Sequence, residues 1–380
     1  MTRRFSWPAG VRSVGIIVLL SVPDRSVSAQ RESHFGYRLT ARTDGAYETN
    51  PQFTPGGGDS FSTRAGVGTE LRYGTKHTSA ALAASGNGSR YNRVATLNRY
   101  GYLFRADVTS DVTPRLTTRA TASLVRSLAR EVNVAALGLS LFPLSVTRSR
   151  EATMALSYRA DPRSTFDVGA NYDNVVFPDR FLPGGSLLAG HLGVRHRYSV
   201  TGDLGLQYRI DRNSLSGGIV DVQSAVSSWQ QSRGSSGARI AIGAARLESS
   251  AMTGHHWRAI GDAELVQRFP VGVVGMRYGR SVSQVYGLGG VLASDLVSVD
   301  YGILSRRRVK FGVEAHRGWF SDPAVAGTRG AQLTSSGAAL FLGRPIGRTF
   351  GIESQLFARR TTGRVTIPNR GALVGFTYSY

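Results

Sequence analysis

Stretches of roughly ten residues in which every second side chain is apolar recur along this chain from Phe35 onward, and helical 3.6-residue spacing is absent. Successive side chains on a β-strand point to opposite faces, so each stretch encodes a strand with one apolar and one polar side. Phe35, Tyr37, Leu39 and Ala41 oppose Gly36, Arg38, Thr40 and Arg42. The same division separates Phe61, Val67, Leu71 and Tyr73 from Arg64, Glu70 and Arg72, and Leu204, Leu206 and Tyr208 from Asp203, Gln207 and Arg209.

The connections alternate in length. Short ones fall at Gly74–His77, Asp111–Arg115, Arg159–Arg163, Asp211–Asn213, Phe269–Gly272, Arg306–Arg308 and Arg344–Arg348. Between them lie Glu48–Ser60, Ser89–Arg93, Ala129–Arg150, Val176–Arg195, Trp229–His256, Leu288–Ser294, Ser321–Gln332 and Thr361–Arg370. A soluble sandwich tolerates tight turns at both ends, whereas a membrane barrel has short turns on one side and long loops on the other. The pattern therefore predicts an all-β chain folded as a transmembrane antiparallel up-and-down β-barrel of about 16 strands, with 14 to 18 within the error of strand boundaries. Ala238–Ser250 alternates weakly and is ambiguous between a crossing strand and a surface hairpin.

Residues 1–29 read as a signal peptide: Arg3, Arg4 and Arg12 form a basic start, Val14–Val22 is a short apolar stretch, and Val27-Ser28-Ala29 is a small-residue cleavage site. The apolar stretch is short of the roughly 20 residues a membrane-spanning helix needs. Residues 30–380 are then a single barrel domain, and Gln30 rather than Cys at the cut argues against lipoprotein processing. With no cysteine, the fold has no disulfide framework. Lys and Arg total 46 against 25 Asp and Glu, for a formal charge of +21, and Lys76 and Lys310 are the only lysines. The basic residues are scattered rather than gathered on one face, which argues against nucleic acid as a partner. Arginine pairs bidentately with phosphate, so phosphorylated lipid is the better expectation.

No nucleotide-binding loop, zinc-protease helix or nucleophile elbow is present, and no cofactor, metal or catalytic residue is expected. Glu314 and His316 share a strand face, half of a catalytic constellation, but no serine is placed beside them by sequence. His255-His256 reads as an exposed polar pair. The polar strand faces predict a charged lumen. Arg38, Arg42, Arg64, Arg72, Arg105, Arg119 and Arg159 dominate the first strands, against Asp44, Glu70 and Asp107. Later strands bring Asp167, Asp173, Asp203, Asp221, Asp262, Glu264, Asp300, Glu314 and Glu353 among Arg209, Arg258, Arg268, Arg277 and Arg359. A barrel of this size is wide enough for an aqueous channel, with a basic wall facing a more acidic one. Ala129–Arg150 contains an unusually apolar centre, Val134 to Phe142, in which Val134, Leu137, Leu139, Leu141 and Phe142 are candidates for a loop folded into the pore, or equally for an extension of the flanking strands above the membrane or a contact with a neighbouring subunit.

The last residues, Gly371 to Tyr380, alternate Ala372, Val374, Phe376, Tyr378 and Tyr380 with Leu373, Gly375, Thr377 and Ser379, and the chain stops on an aromatic. This resembles the terminal strand of bacterial outer-membrane β-barrels. The resemblance implies that the strand closes the barrel against strand one, and that Phe376, Tyr378 and Tyr380 are read by the outer-membrane assembly machinery. It also implies the outer membrane of a Gram-negative-type bacterium, both termini in the periplasm, contact with lipid including lipopolysaccharide phosphates, and porin-like passage of small polar or anionic solutes. Tyr47-Glu48-Thr49-Asn50-Pro51, together with Gly56-Gly57-Gly58 and Phe61 after it, is similar to the first loop of exopolysaccharide-export barrels. That second resemblance implies polysaccharide export with a periplasmic partner as an alternative; an outer-membrane enzyme or a closed structural barrel is a further one.

Overall fold

The structure is a computed structural model that describes residues 33–52, 57–128, 145–178, 182–215, 218–250, 255–285, 290–304, 309–321, 333–347, 349–363 and 366–379. The proposed signal peptide, Tyr380, and all five apolar residues from Val134 to Phe142 lie outside the described residues. The strands are β1 (Ser33–Glu48), β2 (Ser60–Thr75), β3 (Thr78–Tyr91), β4 (Arg99–Thr113), β5 (Leu116–Leu128), β6 (Val146–Arg159), β7 (Ser164–Val176), β8 (Gly185–Arg197) and β9 (Gly202–Leu215). They continue with β10 (Gly218–Arg233), β11 (Ser236–Ser249), β12 (His256–Phe269), β13 (Gly272–Val285), β14 (Gly290–Leu304), β15 (Lys310–Ser321), β16 (Leu333–Ile346), β17 (Phe350–Thr362) and β18 (Thr366–Ser379). A single 3₁₀ turn, Ala95–Leu97, is the one helical element among the described residues. No helix there is long and apolar enough to cross a membrane.

Each strand pairs antiparallel with the next, and β18 pairs with β1 from Thr40↔Ser379 to Glu48↔Gly371, so the sheet closes on itself. Closure is what a strand in hydrocarbon requires, because an open edge leaves backbone N–H and C=O groups unpaired where no water can reach them, at several kcal/mol each. The terminal strand thus closes the barrel against β1, as its resemblance to outer-membrane terminal strands implied. The seam is locked at one end by side chains: Asn369 Nδ2 donates to Glu48 Oε2 at 3.2 Å, and Asn369 Oδ1 accepts from the Asn50 N–H at 3.4 Å.

Alternation sorts the side chains as expected. Phe35, Val67, Leu206, Ile242, Leu356 and Phe376 on the outer face are half or more exposed, as are Phe104, Leu188 and Trp257. An apolar outer surface running round a whole barrel is untenable in water and is the belt a bilayer covers.

The barrel has 18 strands rather than about 16. Both missed strands lie between Val176 and His256. β8 was hidden in a presumed long loop because its inward positions include buried Leu187 and Ala189, which erase the alternation. β11 fills the ambiguous Ala238–Ser250 stretch as a full crossing strand, and its inward positions Ala241, Gly243, Ala245 and Leu247 are again small or apolar. Asp211–Asn213, predicted as a turn, lies inside β9, and the turn is Tyr198–Thr201.

Short connections at one end are built alike. The Thr75 hydroxyl accepts from the N–H groups of His77 (3.2 Å) and Thr78 (2.9 Å), Thr113 accepts from Arg115 (3.2 Å) and Leu116 (3.0 Å), and Asp161 accepts from Arg163 (2.6 Å) and Ser164 (2.8 Å). Such side-chain caps supply the acceptor that a tight turn lacks. At Arg233–Ser236 the reversal depends on Gly234 at φ +56°, a conformation costly for any residue with a Cβ.

Candidate functional site: the lumen

The inward face is a ladder of arginine–carboxylate pairs. Arg42 lies 3.3 Å from Asp44 and 3.8 Å from Glu353 across the β1–β18–β17 seam, and Arg64 reaches Asp44 at 3.7 Å and Glu48 at 3.6 Å. Arg72 forks onto Glu70 (2.8 and 2.9 Å) and Arg105 onto Asp107 (2.7 and 2.8 Å). On the later strands Arg209 meets Asp211 at 2.6 Å, Arg239 meets Asp262 at 3.6 Å, and Arg277 meets Glu264 at 2.9 Å. Arg38, Arg119 and Arg159 share the inward positions of β1, β5 and β6. Asp300 and Glu314 stand opposite each other in register on β14 and β15, and Ser298 stands opposite His316. Every predicted lumen residue from Arg38 to Glu353 therefore falls on the inward set except Asp221. That carboxylate pairs with Arg212 at 3.1 Å on the outer face, because β9 runs through the presumed turn and so shifts the parity of β10.

At the short-turn end the inward face opens into a cavity of about 440 Å³, lined by Arg115, Arg159, Arg163, Arg195 and Arg197 with Asp203. Arg195 touches Asp167 at 3.6 Å and Arg197 touches Asp203 at 3.5 Å. Arg115, Arg159 and Arg163 have no carboxylate within reach among the described residues. The turn that carries Arg163 is held by Asp161, whose carboxyl is kept below the usual carboxylate range first by the Arg163 N–H and then by the Ser164 hydroxyl. Sequence reasoning placed Arg159 here but missed Arg115 and Arg163, which are turn residues without strand parity to flag them.

Toward the long-loop end the described residues form three apolar clusters. Val222, Ala245 and Leu247 form a buried inward cluster with Val291, joined by Leu215, Val220, Ile260 and Val282. Val282 and Val291 belong to the tip of the β13–β14 hairpin, which leans in over the inward face of β9–β12, with Ser281 and Ser294 joined hydroxyl to hydroxyl at 3.0 Å. A second inward-packed segment is Tyr91, Val94 and Leu97 after β3, and a third is Val175 and Phe177 with Leu182 after β7. The first loop, singled out for its sequence, has a structural use: the Tyr47 hydroxyl donates to Asp59 Oδ2 at 2.9 Å, and Arg93 pairs with the other Asp59 oxygen. His255 lies 2.8 Å from Arg246 and 3.5 Å from Glu248, and no group of three metal-ligating side chains occurs among the described residues.

Comparison with solved structures identifies the architecture. Pseudomonas aeruginosa OpdL superposes with a TM-score of 0.53 at 10% sequence identity, covering 91% of this chain and 98% of its own. The chain has the fold of an outer-membrane β-barrel. P. aeruginosa OccK2, solved in complex with glucuronate, gives a TM-score of 0.53 at 12% identity over 91% and 97% of the two chains. The outer-membrane protein OpdK of the same organism gives 0.51 at 12% identity over 91% and 99%. No family model matches the sequence, and no curated protein does. Fold survives here where sequence does not, because a barrel requires alternation and closure rather than particular residues.

Proposed function

We propose that this chain is an outer-membrane channel, porin-like in its action, that passes small anionic solutes, with the long-loop end outside and both termini in the periplasm. The observation that carries this reading is the short-turn cavity, where Arg115, Arg159 and Arg163 stand free of carboxylates while lumen arginines such as Arg72, Arg105 and Arg277 are neutralised by bonded acids. An anion entering the lumen meets wall arginines bonded to acids, such as Arg72 and Arg277, and at this end a cluster with no acid of its own, and such a cluster biases conduction toward anions. The structural neighbours agree in kind: glucuronate, bound to OccK2, and vanillate, solved with OpdK, are both small carboxylates. A barrel of 18 strands leaves room for an aqueous path. Polysaccharide export, raised by the first-loop sequence, gains no support from these neighbours.

The test is reversal potential in planar bilayers under a salt gradient. Wild-type protein should favour chloride over potassium, and Arg115→Gln, Arg159→Gln and Arg163→Gln together should bring the ratio close to unity at low salt. The bias should fade as ionic strength rises and the Debye length falls to a few ångströms, about 3 Å at 1 M. A barrel that inserts but carries no current, or one whose selectivity ignores these three arginines, refutes the proposal.

A further inference from the structure

The outer face carries arginines that belong to neither the lumen nor its cavity. Arg126 on β5 and Arg148 on β6 are direct partners in register, and Arg150 lies on the same outward face two residues further along β6. Partners in an antiparallel ladder hold their Cβ atoms about 5 Å apart, and like charges placed so are destabilising unless something lies between them. Two N–H groups of Arg126, Nε and Nη1, are buried with no hydrogen-bond acceptor. The guanidinium carbon lies over the Tyr100 ring, 3.6 Å from its centroid. No described carboxylate pairs with Arg126, Arg148 or Arg150, and by strand parity the outward positions of β3 to β7 contain no Asp or Glu. On β9 to β14 three outward arginines have acids, Arg212 with Asp221 at 3.1 Å, Arg246 with Glu248 at 3.5 Å and Arg280 with Asp295 at 3.6 Å, whereas outward Arg317, Arg360 and Arg370 on β15, β17 and β18 have no described carboxylate but do not face one another across a strand pair as Arg126 and Arg148 do.

Height along the barrel identifies the class of anion. Arg126, Arg148 and Arg150 stand nine to eleven residues from the short-turn ends of their strands. At about 3.4 Å per residue and a tilt near 40° that is about 23–29 Å, the outer edge of an apolar band roughly 25 Å tall. Directly below on the same face lie Leu124, Ala152, Met154 and Leu156, with Met154 well exposed. A ligand here meets apolar surface below and three arginines above. A phosphate monoester offers three acceptor oxygens, and guanidinium groups take it bidentately.

We propose that Arg126, Arg148 and Arg150, with Tyr100 as the backing ring, form a binding site for a phosphate group on an acylated lipid of the outer leaflet. The phosphate bridges Arg126 and Arg148 and converts a repulsive cross-strand pair into a clamp. Strands β3 to β7 bind the lipid phosphate, whereas the self-neutralised pairs on β9 to β14 do not.

The experiment uses the refolded full-length barrel in detergent, titrated with a diphosphorylated, multiply acylated glucosamine disaccharide and with the same disaccharide lacking phosphates, read by native mass spectrometry. Wild-type protein should retain the phosphorylated lipid at least tenfold more strongly than the dephosphorylated one. Arg126→Gln with Arg148→Gln should abolish that preference, while Arg212→Gln with Arg280→Gln should keep it. Heat-modifiable migration confirms that each variant is folded. The triple lysine variant, which keeps the charge and loses the fork, should bind with intermediate strength and covers the case in which the Gln variant does not fold. Retention that ignores the phosphates, equal loss in the two double variants, or binding of inorganic phosphate with no preference for the phosphorylated lipid would each overturn the proposal.

Discussion

Replacing Leu206 by Arg, and separately Gln207 by Arg, tests the facing of the strands on adjacent residues of one strand. Leu206 is on the outer face of β9, 57% exposed, opposite Val194 and Ser227. Counted from Gly202 it lies roughly 10 Å above the short-turn end, near the middle of the apolar band, where an arginine costs about 2–4 kcal/mol. Gln207 points inward beside Gly193, whose missing side chain leaves room for a longer neighbour, so Arg there should cost no more than about 0.5 kcal/mol, the range for a surface position with no packing to lose. The same contrast on β11 tests the strand that the sequence left ambiguous. Ile242, 70% exposed, should tolerate Arg as badly as Leu206 does. A surface hairpin above the membrane would accept Arg at Ile242 at little cost. Urea-dependent folding into phospholipid vesicles, monitored by tryptophan fluorescence, gives the free energies of the wild type and the three variants. Equal penalties at Leu206 and Gln207 would refute the assigned facing, and a tolerated arginine at Ile242 would return the barrel to fewer strands.

Gly243→Ala should cost about 1–3 kcal/mol by forced overpacking, measured in the same vesicle assay, because its Cβ would collide with the Ala225 carbonyl oxygen and lie 2.9 Å from Val226 Cα. Deleting Phe376–Tyr380 removes the β1 partners from Thr40 to Thr43 and shortens the seam from the short-turn end, so the truncated chain should fail to give a heat-modifiable, protease-resistant band. The Asp59 carboxyl is held below its ordinary range, first by the Tyr47 hydroxyl and then by Arg93. Its ionised form therefore supports the β1–β2 loop at neutral pH, and that support is lost as pH falls through the lowered value: proteolysis by an acid protease at the Tyr47–Ser60 connection should rise below the usual carboxylate range, and Asp59→Asn should show the same susceptibility at neutral pH.

Alternation and connection length determined a great deal. A period of two is a local property, so the outward row Phe35, Tyr37, Leu39 and the inward row Arg38, Arg42 were legible without knowing any neighbour, as was a terminal strand that could close the barrel. Tertiary structure decided the rest wherever a residue's meaning depended on what lay across from it. β8 and β11 carry small or apolar inward residues because other inward side chains cover them: Ala245 and Leu247 pack with Val222 and Val291, residues distant in sequence. With both faces apolar the period vanishes and two strands disappear from view. Asp221 reads as a lumen acid until β9 is seen to run on past Asp211, which reverses the parity. The arginines show the division most clearly. Composition reveals an excess of guanidinium groups, but only the register shows which are cancelled, as Arg72 is by Glu70 and Arg105 by Asp107. It also shows which stand uncompensated, Arg115, Arg159 and Arg163 at the mouth and Arg126 facing Arg148 on the lipid side. A charge acts through the charges beside it, and in a barrel those neighbours arrive from other strands.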